Sequence, residues 1–177
     1  MKTYIALLRG INVSGQKIIK MAELRESLTK AGFENARTYI QSGNIILPST
    51  ETDHKVIEAQ VKALILKDFG FDVPTFVTTA DYLEDTVKNN PFPNEETKKI
   101  YVSLLDEKPE QARIDALNAA DFSPEEYVVD RKRVYLFAAL GAAKSKLSNN
   151  YFESKLKVKA TSRNWNTINK LIALARG

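Results

Sequence analysis

The hydrophobic positions of the chain fall into short runs with two different periods. Residues 3–8 are apolar and β-prone and read as a buried strand. A polar stretch, Arg9 to Lys20, carries Gly10 and Gly15. Met21, Leu24, Leu28 and Ala31 then recur at helical spacing, and Gly32 stands where a helix C-cap glycine belongs. Two strands, 37–42 and 45–48, flank Gly43-Asn44, a hairpin signal. Val56, Ile57, Val61, Leu64 and Ile65 mark a second helix closed by Gly70, and 73–79 reads as a fourth strand. The order is β-α-β-β-α-β, the split pattern of a ferredoxin-like unit.

After a short helix at 81–88, Asn89-Asn90-Pro91-Phe92-Pro93-Asn94 reads as a linker, and the pattern then begins again. Residues 100–105 form a strand, and Pro109 opens a helix where a missing N–H costs nothing. A second hairpin joins 127–129 to 134–137 around Asp130-Arg131-Lys132. Residues 146–156 read as a helix and 157–160 as a short strand or extended link. A last helix starts near Arg163 and buries Trp165, Ile168, Leu171 and Ile172. The fold expected is α+β: two ferredoxin-like (βαββαβ) halves packed together, with antiparallel sheets and helices on one face. The halves are 1–88 and 98–177, the latter with the terminal helix, joined by a linker at 89–97. One larger α+β domain is the alternative.

Composition removes several function classes. With no cysteine in 177 residues there is no disulfide, thiolate metal site or thiol nucleophile. A single histidine, His54, argues against metal clusters and Ser-His-Asp chemistry. It reads as a solvated residue of a helix's first turn. The apolar stretch before Arg9 is too short for a signal peptide, and no run spans a bilayer, so a cytoplasmic location is the default. No metal, cofactor or membrane partner is expected.

Net charge is only +4, but its distribution is uneven. Residues 1–20 hold four basic residues and no acid. Residues 21–130 hold 11 basic and 21 acidic residues, and 131–177 hold 11 basic residues and one acid, Glu153. Two basic ends around an acidic middle suit either a polyanion partner or internal charge pairing. The pairs Asp106-Glu107 and Glu125-Glu126 look like solvated loop and strand-end charges rather than an acid/base dyad.

Three segments combine polar, glycine and basic residues: Leu8-Arg9-Gly10-Ile11-Asn12-Val13-Ser14-Gly15, Tyr39-Ile40-Gln41-Ser42-Gly43-Asn44 and Thr161-Ser162-Arg163-Asn164-Trp165-Asn166-Thr167. In these motifs the chain resembles the bacterial domain-of-unknown-function 1697 family, with its LRGIN-type loop, YIQSGN hairpin and RNWNT helix start. Ser14 stands where such proteins often carry glycine. The resemblance covers nearly the whole chain and implies no particular activity. It makes the three motifs candidates for one shared site.

Gly10 and Gly15 follow a strand, but no Gly-Lys-Ser/Thr closes the loop, which argues against a P-loop. Arg9 offers a planar fork for phosphate or carboxylate. Asn12 suits ligand contact or loop backbone, and Gln41, Ser42 and Asn44 surround the hairpin turn. Thr161 or Ser162 is placed to cap the last helix. Arg163 then falls in its first turn, near the anion-attracting helix end, beside Asn164, Asn166 and Thr167. Lys144 and Ser145 precede another helix. These residues support binding of nucleic acid or a phosphorylated small molecule. The alternatives are a metal-independent enzyme on a small anionic substrate, with Ser42 or Ser145 as hydroxyl participants, and a structural protein, or a homodimer, with charges paired internally.

Overall fold

The structure, a computed structural model, describes residues 1–177. Residues 1–86 together with 170–177 form one compact unit, and 87–169 form a second.

The first unit runs β1 (Lys2–Leu8), α1 (Met21–Lys30), β2 (Arg37–Tyr39), β3 (Asn44–Ser49), α2 (His54–Phe69), β4 (Thr75–Thr78) and α3 (Ala80–Lys88), whose last residues cross into the second unit. Its antiparallel sheet has the order β2-β3-β1-β4. That is the split β-α-β arrangement expected of a ferredoxin-like unit. Tyr4, Ala6 and Leu8 alternate into a core with Leu24, Leu28, Ile57, Val61 and Ile65 of the helices. Ile5 and Leu7 point the other way and are also fully buried. Burial on both faces explains why β1 reads as a continuous apolar run instead of an alternation. Each such side chain contributes about 1.5–3 kcal/mol. Asp53 caps α2 through the Lys55 N–H, and Gly70, at φ +74°, ends it.

The second unit repeats the order: β5 (Ile100–Leu105), α4 (Gln111–Asn118), β6 (Glu126–Asp130), β7 (Arg133–Phe137), α5 (Asn149–Leu156) and β8 (Ala160–Asn164). Its sheet order, β6-β7-β5-β8, corresponds strand for strand to the first. Leu105, Val134, Leu136 and Ala160 pack on Leu117, Phe152 and Leu156 from the helices. The last helix, α6 (Trp165–Arg176), is shared: its residues from Lys170 onward belong to the first unit. There Arg37 donates to the Leu174 carbonyl, and Arg176 pairs with Asp81 and Glu84.

The α+β fold with two split β-α-β halves therefore stands, while three local expectations are corrected. The strand expected over 37–42 stops at Tyr39, because residues 40–43 make the turn and Asn44 is already in β3. The helix expected from Lys146 begins at Asn149, where Ser148 accepts from the Tyr151 N–H. The segment 157–160 is a link as far as Lys159, and the strand lies one step later, at 160–164. The ladder to β5 makes that strand, not any apolar alternation of its own.

Candidate functional site

In the first unit, two loops carry the candidate residues. Residues 9–20 form a hooked loop that folds back on itself where Val13 bridges Gln16. Residues 40–43 form the β2–β3 turn. Seven positive-φ residues concentrate here: Gly10, Asn12, Ser14, Gly15, Lys17, Ile40 and Gly43. Ser14 adopts φ +51° without glycine's freedom. Ile40, a β-branched residue at φ +50°, is a local strain of the kind found at functional sites.

Asn12 joins the two loops. Its amide donates to the Gln41 carbonyl at 2.8 Å and to the Ile19 carbonyl at 3.0 Å, while its oxygen accepts from the Ile19 N–H at 2.8 Å. Asn12 thus acts first on loop backbone. Gly43 has the other essential contact: a Cβ there would lie 2.6 Å from the Leu8 Cβ. Asn44 is fully buried and donates to the Tyr39 carbonyl and the Ser42 hydroxyl, both at 3.0 Å. The Gly43-Asn44 pair is therefore a close-approach position and a buried strand residue, and not an exposed two-residue turn. Gln41 and Ser42 are exposed, Arg9 is half-buried, and the Lys17 ammonium donates to the Asp72 carbonyl at 2.8 Å. Val13, Ile18 and Ile40 leave apolar surface exposed on the same loops.

In the second unit, Lys144 is exposed, and the Ser145 hydroxyl accepts from the Leu147 N–H, a local turn contact. Neither stands at the start of α5. Arg163 is the main correction. It lies in β8 opposite Val102, not in the first turn of a helix, and it is 8% exposed. Its guanidinium donates to the Thr161 hydroxyl at 3.0 Å and the Ser162 carbonyl at 2.8 Å. Burial pulls its pKa down to about 10, so it remains a cation at neutral pH. The cap of α6 is Asn164, which accepts from the Thr167 N–H at 2.8 Å. Asn166 is exposed and Thr167 buried, and neither stands beside Arg163 on a shared helix turn as expected.

Cross-strand partners share a sheet face. On that rule Arg163 lies with Val102, Tyr135 and Val128 on the face away from the helices, and Arg133 with Leu104 on the next row. Arg133 is fully buried, pairs with Asp130 at 2.9 Å and lies 5.6 Å from the centre of the Tyr135 ring.

The uneven charge along the chain largely cancels in three dimensions. The first unit holds 12 basic and 11 acidic residues, and the second 14 and 11. One cavity in each unit has a lining that includes no candidate residue. The first, about 810 Å³, lies among Gly32, Phe33, Pro48 and Glu51. The second, about 480 Å³, lies among Phe92, Phe122, Glu125 and Tyr127. Sequence reading missed this second cavity. Glu125 was expected to be solvated, but it is 8% exposed. Its neighbours Phe122 and Tyr127 were the only signal. His54, also expected in solvent, is half-buried with its ring 5.3 Å from that of Tyr4. No group of three or more His, Cys, Asp or Glu is placed to hold a metal ion, and no helix is long and apolar enough to cross a membrane.

Comparison with known proteins adds three findings. The profile of a family described as a protein of unknown function, DUF1697, matches residues 1–135. That span includes the first two motifs and ends before the third. A solved structure described as the conserved bacterial protein SP0830 from Streptococcus pneumoniae matches at 22% identity with a TM-score of 0.74. The match covers 100% of this chain and 99% of that one, and it carries the fold alone. No curated protein matches.

Proposed function

The chain belongs to the DUF1697 family, whose function is unknown, and from the geometry of its first unit we propose that it binds a small phosphorylated ligand at the loops 9–20 and 40–43. The observation that carries this reading is the Asn12 joint. One side chain holds both loops by their backbone, which supports reading the first two motifs as parts of one site. Positive φ at Gly10, Asn12 and Ser14 gives the loop the bends of an anion-holding nest, with the Asn12 N–H itself taken by the Lys17 carbonyl. The loop 9–20 carries three basic side chains and no acid: Arg9, Lys17, which donates to the Asp72 carbonyl, and Lys20, which pairs with Glu23. Arg9 supplies the planar fork for phosphate oxygens, and Gln41 and Ser42 supply neutral hydrogen bonds.

A small ligand fits better than an RNA strand. RNA-binding ferredoxin-like sheets stack bases on an exposed sheet face. Here the faces away from the helices bury Ile5, Leu7 and Ile46 in the first unit and Ile100, Val102 and Tyr135 in the second. The near balance of charge within each unit also weakens the long-range field a polyanion follows. The enzyme alternative gains little support: Ser42 and Ser145 accept hydrogen bonds from N–H groups, which do not activate a hydroxyl.

A second reading, internal charge pairing, is favoured by the Arg133–Asp130 and Arg176–Glu84 pairs. Both join the basic C-terminal stretch to acids of the middle.

Calorimetric titration at low salt with pyrophosphate, AMP and a single-stranded RNA separates these readings. The proposal expects saturable binding of pyrophosphate or AMP, weakened about tenfold or more by Arg9→Ala. Binding of RNA alone, no binding at all, or binding indifferent to Arg9→Ala overturns it.

A further inference from the structure

The second unit contains a buried carboxyl group with an oxygen that no protein group matches. Glu125 is 8% exposed, and its Oε2 is buried and accepts no hydrogen bond from the protein. A buried carboxylate oxygen left unmatched costs about 1–3 kcal/mol or more. A sequence under no other constraint would replace it by glutamine or an apolar residue. Such a group is instead expected where something from outside supplies the donor.

Glu125 lines the cavity of about 480 Å³, a size that suits a small ligand. The other walls define the chemistry. Phe92, Phe122 and Tyr127 provide aromatic surface, with Phe122 and Tyr127 edge to face at 5.9 Å between ring centres. Asp121 and Glu126 add two more carboxylates. Hydrogen bonds from the Ser123 N–H and hydroxyl hold Asp121 below the usual aspartate range, so it stays ionised. Tyr127 donates its hydroxyl to the Leu117 carbonyl, leaving its ring as the wall.

We propose that this cavity binds the guanidinium group of a small organic cation. A guanidinium is planar and weakly hydrated, donates two parallel N–H bonds to a carboxylate and stacks on aromatic rings. A divalent metal suits the site less, because no three of its carboxylates are placed to hold one. This site lies in the second unit, takes the opposite charge to the phosphate reading, and stands independently of it.

The test is calorimetric titration of wild type and Glu125→Gln with butylguanidinium, its neutral isostere butylurea, and magnesium chloride. The proposal expects saturable binding of butylguanidinium only, weakened about tenfold or more in Glu125→Gln. It also expects the ligand-free Glu125→Gln protein to melt no lower than wild type, because Oε2 makes no hydrogen bond that the substitution removes. No butylguanidinium binding, equal affinity for butylurea, magnesium binding in its place, or binding indifferent to the substitution overturns it. So does a lower melting temperature for the ligand-free variant, which would make Glu125 a structural residue.

Discussion

The two halves share one topology and differ in what is hung on it. In the first, the connection from β1 to α1 takes twelve residues, 9–20, and in the second the equivalent link from β5 to α4 takes five, 106–110. The first hairpin turns through 40–43, held by Gly43 against Leu8. The second turns through Arg131 and Lys132 alone, and the residues closing it, Asp130 and Arg133, form an ion pair. The link from first helix to second strand contributes to a cavity in both halves, but only the second cavity contains an unmatched buried carboxylate. A repeated frame fixes where strands and helices lie, and the loops carry what distinguishes one half from the other.

If the first hairpin depends on close approach and the second on charge, single substitutions should affect them differently. The largest effect is expected for Gly43→Ala. The new Cβ would meet Leu8 at 2.6 Å with the backbone at φ +83°. A loss of about 3 kcal/mol is expected in urea unfolding, from overpacking and left-handed strain together. Asp130→Asn comes next. Fully buried pairs lose about 3–5 kcal/mol when one partner is removed, but Asp130 is 35% exposed, so about 2 kcal/mol is expected.

That pair also has a pH signature. Burial pushes the Asp130 carboxyl up, but hydrogen bonds from Arg133 and Arg131 outweigh it and hold the carboxyl below its ordinary value of 3.8. Its contribution is therefore complete above pH 3.8 and is lost as pH falls through the lower folded value. Asp130→Asn should show a flatter acid-unfolding curve in that window. A curve that follows wild type contradicts the assignment. The smallest effect is expected for Asn12→Ala, about 1–2 kcal/mol from three lost backbone contacts. Its particular sign is faster hydrogen exchange at the Ile19 amide, with protection in β5 unchanged. Equal loosening of both halves would break the comparison.

Much of this frame was readable from periodicity. The strand 100–105 and the helix around Val56 to Ile65 lie where apolar spacing placed them, and the element order carried the fold class. The site was less readable, for identifiable reasons. Residues 160–164 are mostly polar, so nothing local reveals an edge strand, and the Thr-Ser-Arg run imitates a helix cap. Arg163 is buried by its partner strand and sheet face, which are long-range facts. Gly43 carries the ordinary sequence mark of a turn, while its actual constraint comes from Leu8, 35 positions away. Glu125 sits in an acidic pair, and only tertiary packing distinguishes it from its exposed neighbour Glu126.

The central claim is that the long loops of the first half form an anion-binding surface that the second half lacks. Backbone amide shifts recorded by NMR during a pyrophosphate titration test it most directly. The account predicts saturable shifts confined to residues 9–20 and 40–43, with 106–110 and 131–132 unmoved. Shifts centred on the second half, or none in either, would contradict it.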